Sequence, residues 1–424
     1  MSPSPHPEHR SVAIVGGGQA GLSMSHCLQA LGVDHVVLEK HHAMHTWQTR
    51  RWDNFCLVTP NWQCQLPGHP YDGPDPHGFM KKDEINAYLA GFRERVLAPL
   101  REGVAVQRLA PAPGGGFMLQ TSAGELSAGQ VVVAAGGYHL PIVPPMAQRL
   151  PAEIVQLHSE QYRNAAALPP GAVLVVGSGQ SGAQIAEDLH LEGRQVYLAV
   201  GEAPRCARFY RGKDVVDWLA EMDYYDMPVQ QHPLREGVRD NTNHYVTGRD
   251  GGRDIDLRKF AAEGMQLFGA LRDAGAGQLR FEPQLARNLD HADEIYNGIN
   301  ASIDKFIARQ GIAAPPPSVY QPVWQPAAER ETLDLAGSGI ASVVWCMGFR
   351  PDFSWIDAPV FNGRGYPGHL RGVTSQPGLY FLGLPWLHTW GSGRFSGVAR
   401  DAAYLAEQIA ARARQPAAEA VLAA

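Results

Sequence analysis

The stretch Ser11-Val12-Ala13-Ile14-Val15-Gly16-Gly17-Gly18-Gln19-Ala20-Gly21 decides the fold: a β-rich run meets glycines spaced G-x-G-x-x-G, then a helix-forming segment ending at Gly32. A second apolar run, His35-Val36-Val37-Leu38, closes on Glu39 and Lys40. Strand, glycine turn, helix and strand in this order form a dinucleotide-binding unit. Gly16 permits the tight turn, Gly18 lets the backbone approach a pyrophosphate, and Gly21 lets the helix pack closely on the strand. The helix amino terminus then faces the phosphates. Glu39, 23 residues after Gly16, is placed to accept the ribose hydroxyls, with Lys40 beside it.

The unit repeats 161 positions later as Ala172-Val173-Leu174-Val175-Val176-Gly177-Ser178-Gly179-Gln180-Ser181-Gly182, followed by a predicted helix to Leu191 and a strand from Gln195 to Val200. Gly177, Gly179 and Gly182 take the roles of the first three glycines. Here the position matching Glu39 is Val200, and Arg205, Arg208 and Arg211 follow. A missing carboxylate with arginines nearby favours a 2′-phosphate, hence NADP, with Arg205 and Arg208 as its ligands. Glu202 weighs the other way, and a solvated basic loop is the other reading of the arginines.

Two further apolar runs end in glycine, Val131 to Gly137 and Ser342 to Gly348, and each reads as a buried parallel strand. The expected fold is α/β, with two Rossmann-like domains and the second inserted into the first. Residues 1–150 and 331–424 would form one discontinuous unit, and 151–330 the other with a helical insertion. Asp256 to Arg272 and Asp293 to Gln310 are the predicted insertion helices, and Ala313 to Pro317 reads as a stiff connector. Leu379 to Leu384 reads as a late strand around Gly383, Val398 to Ala413 as a closing helix, and QPAAEAVLAA as a frayed tail.

Composition agrees with an ordered enzyme. The chain has 424 residues, 45% hydrophobic and 18% charged, with a formal charge of −6, which favours neither nucleic acid nor an anionic membrane. No apolar run approaches the ~18 residues of a spanning helix, and the amino terminus lacks an apolar signal core. Five cysteines without a C-x-x-C pair point to reduced thiols and a cytoplasmic location. The histidines lack a convincing metal-ligand arrangement, so no metal is expected.

The two fingerprints together resemble the class B flavoprotein monooxygenases, the superfamily of flavin-containing and Baeyer–Villiger monooxygenases, over essentially the whole chain. Thr46-Trp47 with Arg50-Arg51-Trp52 looks like the family's region beneath the flavin, and Cys346-Met347-Gly348-Phe349-Arg350-Pro351 like its late linker. Leu157-His158-Ser159-Glu160-Gln161-Tyr162 is similar to the end of the family's identifying motif, whose upstream Phe and Gly are absent. RRWDNFCLVTPNWQCQLPG and GSGRFSGVARDAAYLA look most like a branch of FAD/NAD(P)-dependent oxidoreductases associated with nitrilase-type gene clusters.

The resemblance implies FAD in the first unit, held by Gly16, Gly18, Gly21, Glu39, Lys40, Trp47, Gly136 and Gly383, and NADPH in the second. It implies hydride transfer to the flavin, a C4a-(hydro)peroxyflavin, and oxygenation of a small nitrogen- or sulfur-containing compound or a ketone by dioxygen. Asn61 and Gln63 are the polar candidates for the flavin or peroxide. Arg51 is the cation for its negative charge. His158 suits a hinge between modules, and Trp386, His388, Trp390 and Arg394 either the substrate end or a packed lid. A reductase or dehydrogenase without oxygen insertion, and a non-catalytic redox sensor, are the competing readings. A homodimer is compatible with the sequence, which does not reveal oligomeric state.

Overall fold

The computed structural model describes residues 8–414; the expected tail, Gln415 to Ala424, lies outside them. Two mainly parallel sheets organise the chain. The first contains β1 (Glu8–Val15), followed by helix α1 (Gln19–Ala30), then β2 (His35–Glu39), β3 (Leu100–Glu102) and β4 (Gly124–Val133). The second contains β5 (Val155–His158), β6 (Ala172–Val176) followed by helix α2 (Gln180–Leu191), β7 (Val196–Ala199) and β8 (Gln266–Phe268). Helix α3 (Leu285–Gln310) then leads to β9 (Ile340–Trp345). The chain finally returns to the first sheet through β10 (Leu379–Phe381) and helix α4 (Val398–Arg414), which packs on α1.

The parallel order of the first sheet is β10-β4-β1-β2-β3 and of the second β5-β9-β6-β7-β8. In each, the strand before the glycine turn sits where the strand order reverses, the place where open α/β sheets bind ligands. Val12 to Val15 and Ala172 to Val176 are buried, as strands covered on both faces require.

The expected division at residue 331 needs correction, because it assigns β9 to the first unit. β9 instead runs parallel to both β6 and β5 in the second sheet, with Val176 opposite Trp345 and Leu157 opposite Val344. Periodicity shows that such a run is buried, but not in which sheet. The chain crosses between the sheets twice, and the crossing segments pair antiparallel, Pro141 opposite Phe349 and Leu140 opposite Arg350.

The insertion helices also differ in part. Leu285–Gln310 is one long helix containing the predicted Asp293 to Gln310. From Asp256 onward only Leu257–Ala262 is helical, because Gly264, at φ +112°, ends it and Gln266–Phe268 becomes the edge strand β8. Among the described residues no helix is long and apolar enough to cross a membrane.

Candidate functional site

A cavity of about 610 Å³ opens at the carboxyl ends of β1 and β4. It runs from Glu39 and Lys40, past Gly16 and Gly18, to Trp47, Arg51, Gln63 and Arg394. Gly136 and Gly383, both at positive φ, line it too. A Cβ at Gly16 would meet the Ala134 carbonyl oxygen at 2.5 Å, and one at Gly21 would fall 1.8 Å from the Gly16 oxygen. A Cβ at Gly18 would meet nothing within 4 Å. Two glycines thus close the turn and the third leaves room above it, which a pyrophosphate needs. Glu39 accepts from the backbone N–H of Gly17 at 2.7 Å and of His41 at 2.9 Å, which holds the carboxylate at the far end with lone pairs to spare. These residues fit the FAD cradle.

Around the other end the walls are aromatic. Trp47 donates its indole N–H to Gln19 at 3.1 Å, and its ring centroid lies 5.0 Å from that of Phe395. The Arg51 guanidinium stands 4.7 Å from the Trp47 centroid and 5.3 Å from that of Phe55. Arg51 donates to the Arg50 carbonyl but has no carboxylate partner among the described residues, and burial pulls its pKa down to about 10. Its neighbour Arg50, by contrast, is neutralised by Glu160 at 2.9 Å.

The two amides named from sequence part company. Gln63 is buried, lines the cavity, and its Oε1 lacks a hydrogen-bond partner among the described residues. Asn61 requires correction as a catalytic candidate. Its Nδ2 donates to the Asp75 carbonyl at 2.9 Å and its Oδ1 accepts from the Met80 N–H at 2.7 Å, so both ends of the amide are committed to backbone outside the cavity. Asn61 fixes the short 3-10 turn Asn61–Gln63 that presents Gln63.

The second turn repeats the first. A Cβ at Gly177 would meet the Cys346 oxygen at 2.6 Å, and one at Gly182 the Gly177 oxygen at 1.9 Å. Over Gly179 the methyl of Thr242 would stand 3.3 Å from such a Cβ, and Gln180 donates to the Val246 carbonyl at 2.7 Å. The glycine turn and the α2 amino terminus suit a nicotinamide dinucleotide.

Arg205 and Arg208 are corrected as 2′-phosphate ligands. Arg205 is 2% exposed, with Nη2 at 2.7 Å from Asp293 and its guanidinium over Tyr320 and Tyr296. Arg208 is 1% exposed, paired with Asp214 at 2.5 Å and donating to the Val58 carbonyl at 2.6 Å. Arg211 is taken by Asp304 at 2.8 Å. Charge in a loop after a Rossmann strand looks the same in sequence whether it faces water or the core.

Sequence reasoning missed Arg287, on the first turn of α3. Asn288 beside it donates to the Val200 carbonyl at 2.9 Å, which seats this helix end on the end of β7, and Arg287 pairs with Glu202. Both side chains are more than 60% exposed, so this cation is accessible to a ligand. Only folding brings residues 85 positions apart together.

His158, the last residue of β5, packs against the second crossing segment. Its Nε2 lies 3.1 Å from the Gly348 carbonyl oxygen and its ring packs edge-on against Phe349, both in the second crossing segment. Burial keeps its pKa below the ordinary histidine value. Of the late residues, Arg394 reaches the cavity, whereas Trp386 and Trp390 pack with Tyr224 and Tyr225.

Comparison with known proteins agrees with this construction. Residues 13–222 match the pyridine nucleotide-disulphide oxidoreductase family. The uncharacterized oxidoreductase CzcO-like of Geobacillus kaustophilus is 30% identical over 406 residues, covering 94% of this chain and 97% of that one. Indole-3-pyruvate monooxygenase YUCCA6 of Arabidopsis thaliana is 31% identical over 324 residues, 72% of this chain and 76% of its own. A flavin monooxygenase from Stenotrophomonas maltophilia, in a double-mutant form, shares the fold with a TM-score of 0.64 at 19% identity, over 96% of this chain and 99% of that one. The chain belongs to the pyridine nucleotide-disulphide oxidoreductase family and is a flavin-dependent oxidoreductase with monooxygenase relatives.

Proposed function

We propose that the protein is an FAD-dependent, NADPH-consuming monooxygenase that oxygenates a small nitrogen- or sulfur-containing compound or a ketone. The observation that carries this reading is the single cavity joining the glycine cradle of the first sheet to Arg51 and Gln63 between aromatic walls. A flavin bound there supplies the redox and oxygen chemistry. The chain supplies position and electrostatics. Trp47, Phe55 and Phe395 shield the reacting end from water, Arg51 places an unneutralised cation where negative charge develops, and Gln63 offers a buried amide.

The nicotinamide cofactor belongs on the Gly177-Gly179-Gly182 turn, with its ribose near Glu202. Arg287 supports NADPH over NADH, since a 2′-phosphate can displace Glu202 as its partner. A reducing cytoplasm suits the five free cysteines. No cysteine lines the cavity, and burial pushes Cys27, Cys56 and Cys64 above the ordinary thiol range.

The test is to reduce the purified holoenzyme anaerobically with NADPH, mix it rapidly with oxygenated buffer, and follow the flavin absorbance. A transient spectrum distinct from both oxidised and reduced flavin, with an oxygenated product on adding substrate, supports the reading. Direct return to the oxidised spectrum, with no oxygenated product, assigns the protein to reduction of another acceptor.

A further inference from the structure

Two cations at the reacting end of the cavity have no counter-charge among the described residues. Arg51 and Arg394 both line it, and neither forms an ion pair with a described residue. Arg394 is held in place by neutral groups alone. It donates to the Trp390 carbonyl and, at 2.8 Å, to the Asn243 side-chain oxygen, while its guanidinium lies 3.8 Å from the centroid of the Trp390 ring. The carboxylates lining the cavity are engaged elsewhere. Glu39 is tied to backbone N–H groups at the glycine end, and Asp352 accepts from Ser354. Arg50 shows the usual solution at this depth, a carboxylate partner in Glu160.

A partly buried cation without a partner is stabilised by an incoming anion, and a rigid guanidinium anchored on one side leaves its remaining donors aligned for a planar, bidentate acceptor. We propose that Arg394 is the substrate anchor and that the substrate is a small organic carboxylate, its apolar body lying against Tyr138, Phe55 and Phe395. This rests on the reading of the cavity as the flavin and substrate site. Burial depresses both guanidinium pKa values, as expected for cations that await an anion rather than water. Arg51 then faces the flavin, and Arg394 the substrate carboxylate. The same end of the cavity offers an ammonium group no free carboxylate, so amines of the same shape are poor ligands.

The test uses the oxidised holoenzyme and reads ligand binding from the perturbed flavin absorbance, without turnover. The probes are phenylpyruvate, indole-3-pyruvate and 4-phenylbutanoate, each beside its methyl ester, with 2-phenylethylamine as the cationic control. The expected result is that at least one acid binds tenfold or more tighter than its ester, and that the amine fails to bind. Arg394→Met should bring the acid-to-ester ratio close to one, and Arg394→Lys should keep part of it, while the KM for NADPH changes less than twofold.

Failure of every acid to bind, or equal binding of acid and ester, overturns the proposal in the wild-type protein even if a variant does not fold. An equal rise in the KM for NADPH and in the acid dissociation constants of Arg394→Met also overturns it, because the arginine then serves the nucleotide. Acid-selective binding without an oxygenated product would leave the anchor standing and remove the monooxygenase reading instead.

Discussion

At Gly16 an added Cβ would stand 2.5 Å from the carbonyl oxygen of Ala134, and at Gly177 it would stand 2.6 Å from that of Cys346. Both turns are therefore wedged against the residue that follows a neighbouring parallel strand. They differ one step further on. Above Gly18 there is open space that belongs to the cavity, whereas Gly179 lies under the Thr242 methyl. Beyond the second strand the first unit presents Glu39, held by backbone N–H groups, and the second presents an exposed Glu202–Arg287 pair with Arg205 and Arg208 buried behind it. A repeated backbone can thus be furnished for different tasks, and the furnishing comes from segments that the repeat does not contain.

The most drastic way to separate the turns is to add a side chain to each. Gly18→Val should give a folded, colourless protein, because a Cβ there meets nothing within 4 Å and the side chain enters space meant for a pyrophosphate. Gly179→Val should stay yellow and lose reduction by NADPH. The ratio of flavin to protein absorbance and the anaerobic reduction rate measure the two effects. A yellow Gly18→Val protein would refute the cradle.

Arg208→Met tests whether the second unit's arginines are struts. It strips Asp214 of its partner in a buried site, for which about 3–5 kcal/mol of stability is expected to be lost. The preference for NADPH over NADH should not move, since the side chain does not reach the glycine turn. A denaturant midpoint and the two KM values decide it; an unchanged midpoint with weakened NADPH would restore the phosphate role expected from sequence.

The helices after the two turns diverge as well. Glu187 on α2 stands where α1 carries His26, and it is buried, with Arg253 at 3.2 Å. Burial raises its pKa to about 7, above that of an unfolded glutamate. Its protonated form is therefore the one that fits the fold. Stability from this group is complete below about pH 4.5 and is lost as pH rises through about 7. Glu187→Gln removes that dependence, so the variant should gain up to about 3 kcal/mol on the wild type between pH 5 and pH 8. Melting temperatures at the two pH values measure it, and a gap that narrows with rising pH would contradict the assignment.

Much of this organisation was readable because it is local. The glycine spacings, Glu39 and the strand–helix alternation each lie within about 30 residues, and short-range sterics dictate them. What escaped was decided at long range. β9 carries the same apolar signature whichever sheet accepts it, and only its pairing with Val173 to Val176 tells. Arg205 and Arg208 looked like a phosphate-binding loop until Asp293 and Asp214 took them inward. Asn61 and Gln63 stand two residues apart, and the backbone of Asp75 and Met80 selects the one that is spent. Asn61→Ala should cost about 1–3 kcal/mol for the groups it leaves unpaired. Gln63→Leu should leave stability nearly unchanged and lower product formed per NADPH oxidised; equal stability losses in the two variants would erase the distinction.

The finest difference between the units is the pair at the mouth of the second turn. Both members are mostly exposed, and an exposed ion pair contributes between nothing and about 1 kcal/mol, so Arg287→Ala should leave the melting temperature essentially where it was. Its effect should appear instead in cofactor choice. In the free protein Arg287 is shared with Glu202; with NADPH bound, its charge turns to the 2′-phosphate, whereas NADH offers it nothing comparable. The KM for NADPH should therefore rise several-fold while that for NADH stays within a factor of two. Glu202→Gln, which frees the arginine, should move the NADPH value the opposite way. Parallel changes in both cofactors would show that the pair merely pins α3 to the end of β7, and the basis of NADPH preference would have to be sought elsewhere on the second turn.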